Sequence, residues 1–475
     1  MKNFRLFIPI LFLALSANFI SKRSFADPVR VFTIEDFYLQ ILENHPVARQ
    51  AALLSDQARQ QLRIARGMMD PVINSNLYRK ELQGSNYFTL WDNAFRIPLW
   101  FGADIKAGYE RNTGFNVSGE NFTPPLGLTT VGFVIPLAQG LLIDQRRAAI
   151  KQAQLLGDLA EADRVVIINN LLLQATNDYW DWVYAYNSLL LNEEGFELAQ
   201  FRLGAVKERA IEGNLPFIDT VEARMEMQNR RVRLSQSLIA YQNASLVISN
   251  YLWSEDNIPL ELTDDVIPAT APQEDVIIPQ DSLEVLIDAA RLNHPELLRL
   301  HLNRESQRIE GRLLADRLKP RINMEYNVIF QGSPMTTEGA GFEYFTNNYK
   351  LGLGLSIPIF LRAERGRLNL NNLRLTELDL DIQQSQREII NQVQAYYNEL
   401  LLLNEQVQIQ EDLVVNAQIL RDGEQGLFED GESSLFLINT REITLINHQI
   451  TLYELRIRYA KAKIMLQYAA GNVMI

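Results

Sequence analysis

The sequence contains no cysteine and only four histidines. The absence of cysteine excludes disulfides, thiolate metal sites, a cysteine nucleophile and a lipid anchor on an N-terminal cysteine. Two histidines lie in the same tripeptide, Asn-His-Pro, at 44–46 and at 293–295. No second metal ligand follows either of them at a suitable spacing. We therefore interpret both as turns that open a helix, and we expect no metal and no other cofactor.

Signatures of catalysis and of nucleotide binding are also missing. The sequence has no phosphate-binding loop, nucleophile elbow, zinc motif or paired-acid pattern, so we expect that the protein is not an enzyme and has no catalytic residues. The formal net charge is −13. An acidic chain is a poor candidate for binding nucleic acid, and that class of partner is not expected.

Long hydrophobic runs are confined to the N-terminus. Lys2 and Arg5 precede an apolar run at 7–19, and Ser-Phe-Ala at 24–26 is a small-x-small cleavage site. We expect a cleaved signal peptide at 1–26, whose removal takes away four basic residues and changes the net charge from −13 to −17. No later stretch approaches the length of a transmembrane helix.

Two parts of the sequence repeat each other. The Asn-His-Pro tripeptides are 249 residues apart, and the same spacing separates Pro71 from Pro320. The spacing is far longer than that of a solenoid repeat, so the copies are halves of one architecture. We predict two structural repeats, at 27–253 and 282–475, joined by a proline- and acid-rich linker or equatorial segment at 254–281.

Each repeat contains segments with the alternation of a β-strand. Residues 321–330 and 349–357 place apolar side chains on one face and polar ones on the other, 129–135 alternate as well, and 72–82 do so weakly. Runs of about ten residues match tilted membrane strands. A strand of a soluble sandwich alternates in the same way, but the long glycine-containing loop at 331–348 favours an outer-membrane barrel.

The number of strands predicts an oligomer. Two strands per repeat give about four per chain, which are too few to close a barrel, and open sheet edges are not tolerated in lipid. Several copies must therefore pool their strands in the outer-membrane lipid. A further candidate hairpin lies near 87–113, and the pattern leaves open whether it joins the barrel.

Between the strands lie very long helical segments. No proline interrupts residues 144–211, and a helix of this size would be ~100 Å long. We predict a return helix at 217–253 and a second pair at 362–428 and 434–469. The last segment has two apolar seams, one with the 3,4 spacing of a coiled coil, so it would pack against neighbours on both sides, as in the wall of a cylinder. An ordinary antiparallel coiled coil is the alternative.

The order of these elements resembles the TolC-like outer-membrane efflux protein family over essentially the whole mature chain. The motifs that carry the resemblance are ENHP and LNHP, the strand endings IPL and IPI, NDYWDWV, and the hairpin sequences RAIEGNLPFIDTVEAR and LFEDGESSLFLINTRE. The resemblance implies a mixed α and β fold, in which a homotrimer forms a twelve-stranded outer-membrane β-barrel continued by a long periplasmic α-helical barrel.

The resemblance also implies a function. The chain would be the passive exit duct of a tripartite efflux pump or type I secretion system, supplied by an inner-membrane transporter through a periplasmic adaptor protein. It would lie in the outer membrane with a large periplasmic portion. The alternative is an exported periplasmic coiled-coil scaffold without a channel. The sequence indicates neither the exported substrate nor the particular transporter.

In this family the ends of the two helical hairpins close the periplasmic entrance and contact the adaptor. The matching residues are Glu212, Gly213, Asn214, Leu215, Asp219 and Glu222, then Phe428, Asp430, Gly431, Glu432, Ser433 and Ser434. The second end departs from the pattern, because Leu437 and Thr440 occupy the positions of the entrance acids. The acids that would replace them, if they face the lumen, are Glu429, Asp430, Glu432 and Glu222. The alternative is an ordinary solvated helix end.

Overall fold

The structure is a computed structural model that describes residues 30–263, 265–269, 282–332 and 346–471. The expected signal peptide, part of the predicted linker and most of the predicted 331–348 loop lie outside these ranges.

The described residues form long helices and short strands in alternation. The helices are α1 (Ile34–Asn44), α2 (Pro46–Gly67), α3 (Gln145–Ile211), α4 (Phe217–Ser249), α5 (Ser282–Asn293), α6 (Pro295–Asp316), α7 (Arg362–Glu429) and α8 (Leu435–Ala469). The strands are β1 (Arg30–Phe32), β2 (Val72–Leu82), β3 (Ser85–Pro98), β4 (Asp104–Thr113), β5 (Leu128–Pro136), β6 (Val266–Pro268), β7 (Arg321–Gln331) and β8 (Tyr349–Ser356). The order helix, helix, strands, long helical hairpin occurs twice.

The long helices match the lengths expected from the sequence. α3 has 67 residues and α7 has 68, so each is about 100 Å long. α4 packs back on α3, and α8 packs back on α7. Among the described residues, no helix has both the length and the hydrophobicity needed to cross a bilayer.

Both Asn-His-Pro histidines cap a helix. The Nδ1 atom of His45 accepts a hydrogen bond from the Val47 N–H at 3.2 Å, and that of His294 accepts from the Glu296 N–H at 3.3 Å. The proline that follows each histidine is the first residue of its helix, where a missing N–H costs nothing. Burial lowers the pKa of both imidazoles, which favours the neutral acceptor form. Both histidines thus open a helix, as interpreted from the sequence.

Six strands form one antiparallel sheet in the order β2-β3-β4-β5-β7-β8. The expectation of about four strands per chain is wrong for this sheet, because the candidate hairpin near 87–113 supplies β3 and β4, which lie between β2 and β5. β2 and β3 are joined through Gln83 and Gly84, both at positive φ, as a two-residue hairpin turn requires. Alternation in β3 is hard to detect because Asn93 interrupts its apolar face and Leu90 lies on the polar face.

The strand register gives the sheet two different faces. The apolar face carries Ile73, Leu77, Trp91, Phe95, Ile97, Ile105, Ala107, Val131, Phe133, Ile135, Met324, Tyr326, Val328, Leu351, Leu353 and Leu355. On the opposite face Lys106 Nζ contacts Glu325 Oε1 at 3.4 Å. Leu353 and Leu355 are 72% and 65% exposed, so this chain alone leaves the apolar face uncovered.

The largest buried cluster lies where the short helices meet the long hairpins. In the first half Phe37, Tyr179, Trp182 and Ile248 pack together, each at most 1% exposed. The second half has a corresponding cluster around Tyr397. β1 pairs in parallel with β6, so part of the predicted linker folds against the first described residues.

Candidate functional site

The two long helical hairpins end in the same turn. Gly213 has a φ of 79° and Gly431 a φ of 81°. The N–H of the next residue returns to the carbonyl five residues earlier, at 2.9 Å after Gly213 and 2.8 Å after Gly431. This is the Schellman closure of a helix. A Cβ added to either glycine would meet no atom within 4 Å, so backbone conformation, and not crowding, favours glycine here.

The helices that follow the two turns begin differently. Ser434 is the N-cap of α8, and its hydroxyl accepts a hydrogen bond from the Leu437 N–H at 3.4 Å. Pro216 precedes α4 and provides no side-chain cap. Asp219 instead places a carboxylate in the first turn of α4, where the helix dipole favours negative charge.

The acidic residues at the hairpin ends are mostly exposed. Glu212, Glu429, Asp430 and Glu432 are exposed, and Glu222 is half-buried. The Asn214 side chain donates to Glu212 at 3.1 Å, and the Ser433 hydroxyl donates to Glu424. In the part of the chain that the structure describes, no group of three or more histidines and acids could hold a metal ion.

The hairpin ends also expose large apolar side chains, which the sequence analysis did not identify. Ile211 is 87% exposed, Phe217 78% and Phe436 64%. A groove of about 320 Å³ lies between α4 and α8, and Ile218 and Phe436 contribute to its lining. Clustered exposed apolar side chains of this kind are typical of interaction surfaces.

Two of the predicted residues hold the hairpins together. Leu215 and Phe428 are partly buried, and they pack against a cluster that contains Val206 of α3, Ala223 of α4 and Ile438 of α8. The end of the first hairpin and the end of the second are therefore joined by a small apolar core.

Above this core lies a buried group of charges that the sequence analysis missed. Glu442 of α8 accepts hydrogen bonds from Arg202 of α3 at 2.7 Å and from Arg230 of α4 at 2.9 Å. The three side chains are 3%, 8% and 4% exposed. Asn439 accepts from Arg202 at 2.9 Å, and Glu226 from Arg230 at 2.7 Å.

The buried charges connect the two halves of the chain. Both arginines come from the first half and Glu442 comes from the second. Arg230 also pairs with Glu226 inside the first half, but Arg202 pairs with an acid only across the halves, among the described residues. Removing one member of such a group leaves an unpaired buried charge, which is strongly destabilising. The available sequence signal was Arg202 itself, since it lies beside Leu203 and close to Val206, on a face of α3 that is otherwise apolar.

The comparisons with known proteins agree with this geometry. Residues 286–472 match the sequence model of the outer membrane efflux protein family. Among curated proteins, none matches the chain by sequence.

Solved structures match nearly the whole chain. The CmeC outer membrane channel of Campylobacter jejuni has a TM-score of 0.65 at 13% identity, over 92% of this chain and 85% of that one. The outer membrane protein VceC of Vibrio cholerae has a TM-score of 0.64 at 13% identity, over 93% and 97%. The open state of the MtrE outer membrane channel of Neisseria gonorrhoeae has a TM-score of 0.65 at 14% identity, over 93% and 89%.

Likeness at such low identity shows the fold, and the family match of the second half adds the family. The family match at residues 286–472 and the shared fold thus confirm the resemblance drawn from the sequence motifs.

Proposed function

We propose that this chain is the outer-membrane channel of a tripartite efflux pump or type I secretion system. Three copies would form a passive exit duct, into which a periplasmic adaptor protein delivers substrates from an inner-membrane transporter. The protein would lie in the outer membrane, with its helical hairpins in the periplasm and without a lipid anchor.

The observation that carries this proposal is the junction of the sheet with the helices. A sheet with one predominantly apolar face joins helices that are about 100 Å long. The strands of this six-stranded sheet have 8 to 14 residues, which suits a bilayer crossing. An apolar face of this size needs lipid or another apolar surface to cover it.

Membrane association and conductance test the channel. The full-length protein should fractionate with outer membranes, require detergent for extraction, migrate as a trimer and conduct ions in a planar lipid bilayer. A detergent-free monomer in the periplasmic fraction would instead support the exported coiled-coil scaffold and contradict the channel.

The hairpin ends are the proposed adaptor surface and periplasmic entrance. Glycine turns with open space around them, exposed apolar side chains and exposed acids lie together there. These features suit close contact with a second protein, because the tight turns let another backbone approach and the apolar side chains provide buried area.

Bulky substitutions at the turns test the docking surface. Gly213→Trp or Gly431→Trp should abolish export while leaving trimers in the outer membrane, since the added side chain projects into open space. Gly213→Ala and Gly431→Ala are the matched controls, because they carry the same backbone strain at positive φ without the bulk, and they should retain export. Unchanged export in both tryptophan variants would contradict the docking role.

A further inference from the structure

We infer that the β3–β4 hairpin is a third pair of barrel strands, so that three copies close a ring of eighteen strands and not of twelve. In this ring β8 of one copy pairs with β2 of the next, in the register that β5 adopts on β7. The inference rests on the trimeric channel proposed above and on the duplication predicted from the sequence.

The inserted hairpin extends to the helical end of the sheet. Its turn, at 99–103, is closed by the Leu99 N–H, which donates to the Ala103 carbonyl at 2.7 Å. Asp104, the first residue of β4, forms an ion pair at 2.8 Å with Arg146, near the start of α3. The turn is therefore level with the junction of β5 and α3. Trp100 in this turn is 79% exposed, as expected of an aromatic residue at a membrane interface.

The hairpin also reaches the opposite end of the sheet. The Asn116 N–H donates to the Tyr87 carbonyl at 3.1 Å, and the rings of Tyr87 and Phe115 are 5.1 Å apart. β3 has 14 residues and β4 has 10, so both cover the length of β5, which has 9. A hairpin that lay outside the barrel would not need to match the sheet at both ends.

The apolar face of the sheet continues across β3 and β4, although Asn93 and Arg111 also lie on it. Phe95 pairs with Ile73 of β2 on one side and with Ala107 of β4 on the other. Ile105 pairs in turn with Phe133 of β5. The apolar face thus runs from β2 to β5 through the hairpin, which places β3 and β4 in the same lipid layer as their neighbours.

The outer edges of the sheet, β2 and β8, define the contact between copies. In the described residues each of them pairs with one strand only, and lipid does not tolerate such an edge. β2 corresponds to β7 in the duplication, and β8 corresponds to β5. The β5–β7 pair inside one chain is therefore a template for a β8–β2 pair between two copies.

The template fixes the register of that contact. Phe133 pairs with Tyr326 inside the chain, and the corresponding residues are Leu355 and Leu77. Both of these lie on the apolar face, so the register taken from the duplication also aligns the faces of neighbouring copies. A shift by one residue would turn one strand inside out relative to the other.

A pair of glycines supports the same contact. A Cβ added to Gly132 would lie 1.9 Å from the Tyr326 carbonyl oxygen, so glycine is required where β5 meets β7. The corresponding residue in β8 is Gly354, where a Cβ would meet no atom within 4 Å of the isolated chain. Glycine at this position is explained if another strand lies beside it in the assembly.

The strand count affects what can pass through the membrane. Barrel diameter grows roughly linearly with strand number, so eighteen strands make a barrel about one and a half times as wide as twelve.

Disulfide cross-linking in the full-length protein tests the inference, because the natural chain has no cysteine. The pair Ala107→Cys and Val131→Cys lies at directly opposed positions of β4 and β5, and it should cross-link within each chain of the membrane-embedded trimer. The pair Leu77→Cys and Leu355→Cys should cross-link between chains and yield covalent trimers. The pair Leu77→Cys and Leu353→Cys, two residues out of register, is the control and should cross-link far less.

Labelling by a water-soluble maleimide provides a second measurement. Phe95→Cys should be protected by lipid, whereas Ala94→Cys, on the other face of β3, should react from the lumen. A different set of results would place the hairpin outside a twelve-stranded barrel. In that case covalent trimers would form through Leu77→Cys and Leu355→Cys, but Ala107→Cys would not cross-link to Val131→Cys, and Phe95→Cys would react with the water-soluble maleimide. That result would overturn the inference and leave the channel standing.

Two further outcomes separate failure of the strand register from failure of the channel. Trimers in which only the out-of-register pair cross-links would overturn the β8–β2 register. A protein that forms no trimer with any variant, including those with one cysteine, would overturn the channel itself.

Discussion

The two halves of the molecule have long helices of nearly equal length but contribute different numbers of strands to the shared sheet. α3 and α7 differ by one residue in length, with 67 and 68, and both hairpins end in the same glycine turn. The first half, however, contributes four strands to the sheet and the second contributes two. Helix length is constrained because both hairpins must end at the same level. Strand number is less constrained, because an added hairpin leaves both strand-to-helix junctions in place.

The halves contribute opposite charges to the buried group of Arg202, Arg230 and Glu442. Removing Glu442, the one acid that the second half contributes to this group, should have the largest effect on stability. Glu442→Ala leaves Arg202 without its acidic partner, whereas Arg230 keeps Glu226. Loss of one partner of a buried ion pair costs about 3–5 kcal/mol. The midpoint of denaturant unfolding of the purified protein should fall accordingly. Glu454→Ala, an exposed position on the same helix, is the control, and equal midpoints for the two variants would show that the buried charges are unimportant.

The two corresponding glycines should respond differently to a methyl group. Gly132→Ala forces a Cβ against the backbone of β7, and overpacking of this kind costs about 1–3 kcal/mol. The chain should become more sensitive to protease before assembly. Gly354→Ala should leave the unassembled chain as resistant as wild type and reduce only the yield of trimers. Equal protease sensitivity of the two unassembled variants would contradict the strand register.

The capping histidines offer a case in which the two halves should behave alike. His45→Ala or His294→Ala removes an N-cap acceptor, at a cost of about 0.5–2 kcal/mol. Burial lowers the pKa of both imidazoles in the folded protein, so the unfolded chain binds these protons more readily. Their contribution to stability is complete above the unfolded pKa of about 6.5 and declines as the pH falls toward the lowered folded pKa.

Thermal unfolding at several pH values between 8 and 5, a range of about three pH units around the histidine pKa, measures this effect. The double variant, which carries both His45→Ala and His294→Ala, should lose less stability on acidification than wild type. His301→Ala, on the exposed surface of α6, should behave as wild type. An unchanged pH profile in the double variant would count against the capping role.

The smallest expected effect concerns the acids of the two hairpin ends. The second end carries Glu429, Asp430 and Glu432, whereas the first turn carries Glu212. Acidic rings in a constriction favour cations, so Asp430→Asn with Glu432→Gln should lower the cation-to-anion permeability ratio more than Glu212→Gln does. Reversal potentials in a salt gradient measure this ratio. Glu255→Gln, far from the ends, is the control, and an equal shift in all variants would place these acids outside the lumen.

The sequence predicted the features that depend on local patterns. The long helices, the capping histidines and strands such as β7 follow from periodicity, proline placement and alternation. β3 was harder to assign, because Asn93 breaks its apolar face and Leu90 adds an apolar residue to the other.

Contacts between distant segments could not be predicted in the same way. Arg202 and Glu442 are 240 residues apart, and only the packing of α3 against α8 brings them together. The exposed apolar residues at the hairpin ends, such as Phe436, look like ordinary core positions until the fold shows that nothing in this chain covers them. The hairpin glycines were found because a sharp turn leaves a local signature.

The central claim is that the apolar face of the sheet meets lipid while the opposite face lines a water-filled duct. Single cysteines placed at residues 323–328 of β7, in a chain that has none of its own, test it directly in native outer membranes. Labelling by a water-soluble maleimide should alternate, with reaction at 323, 325 and 327 and protection at 324, 326 and 328. Uniform labelling of all six positions would contradict the channel.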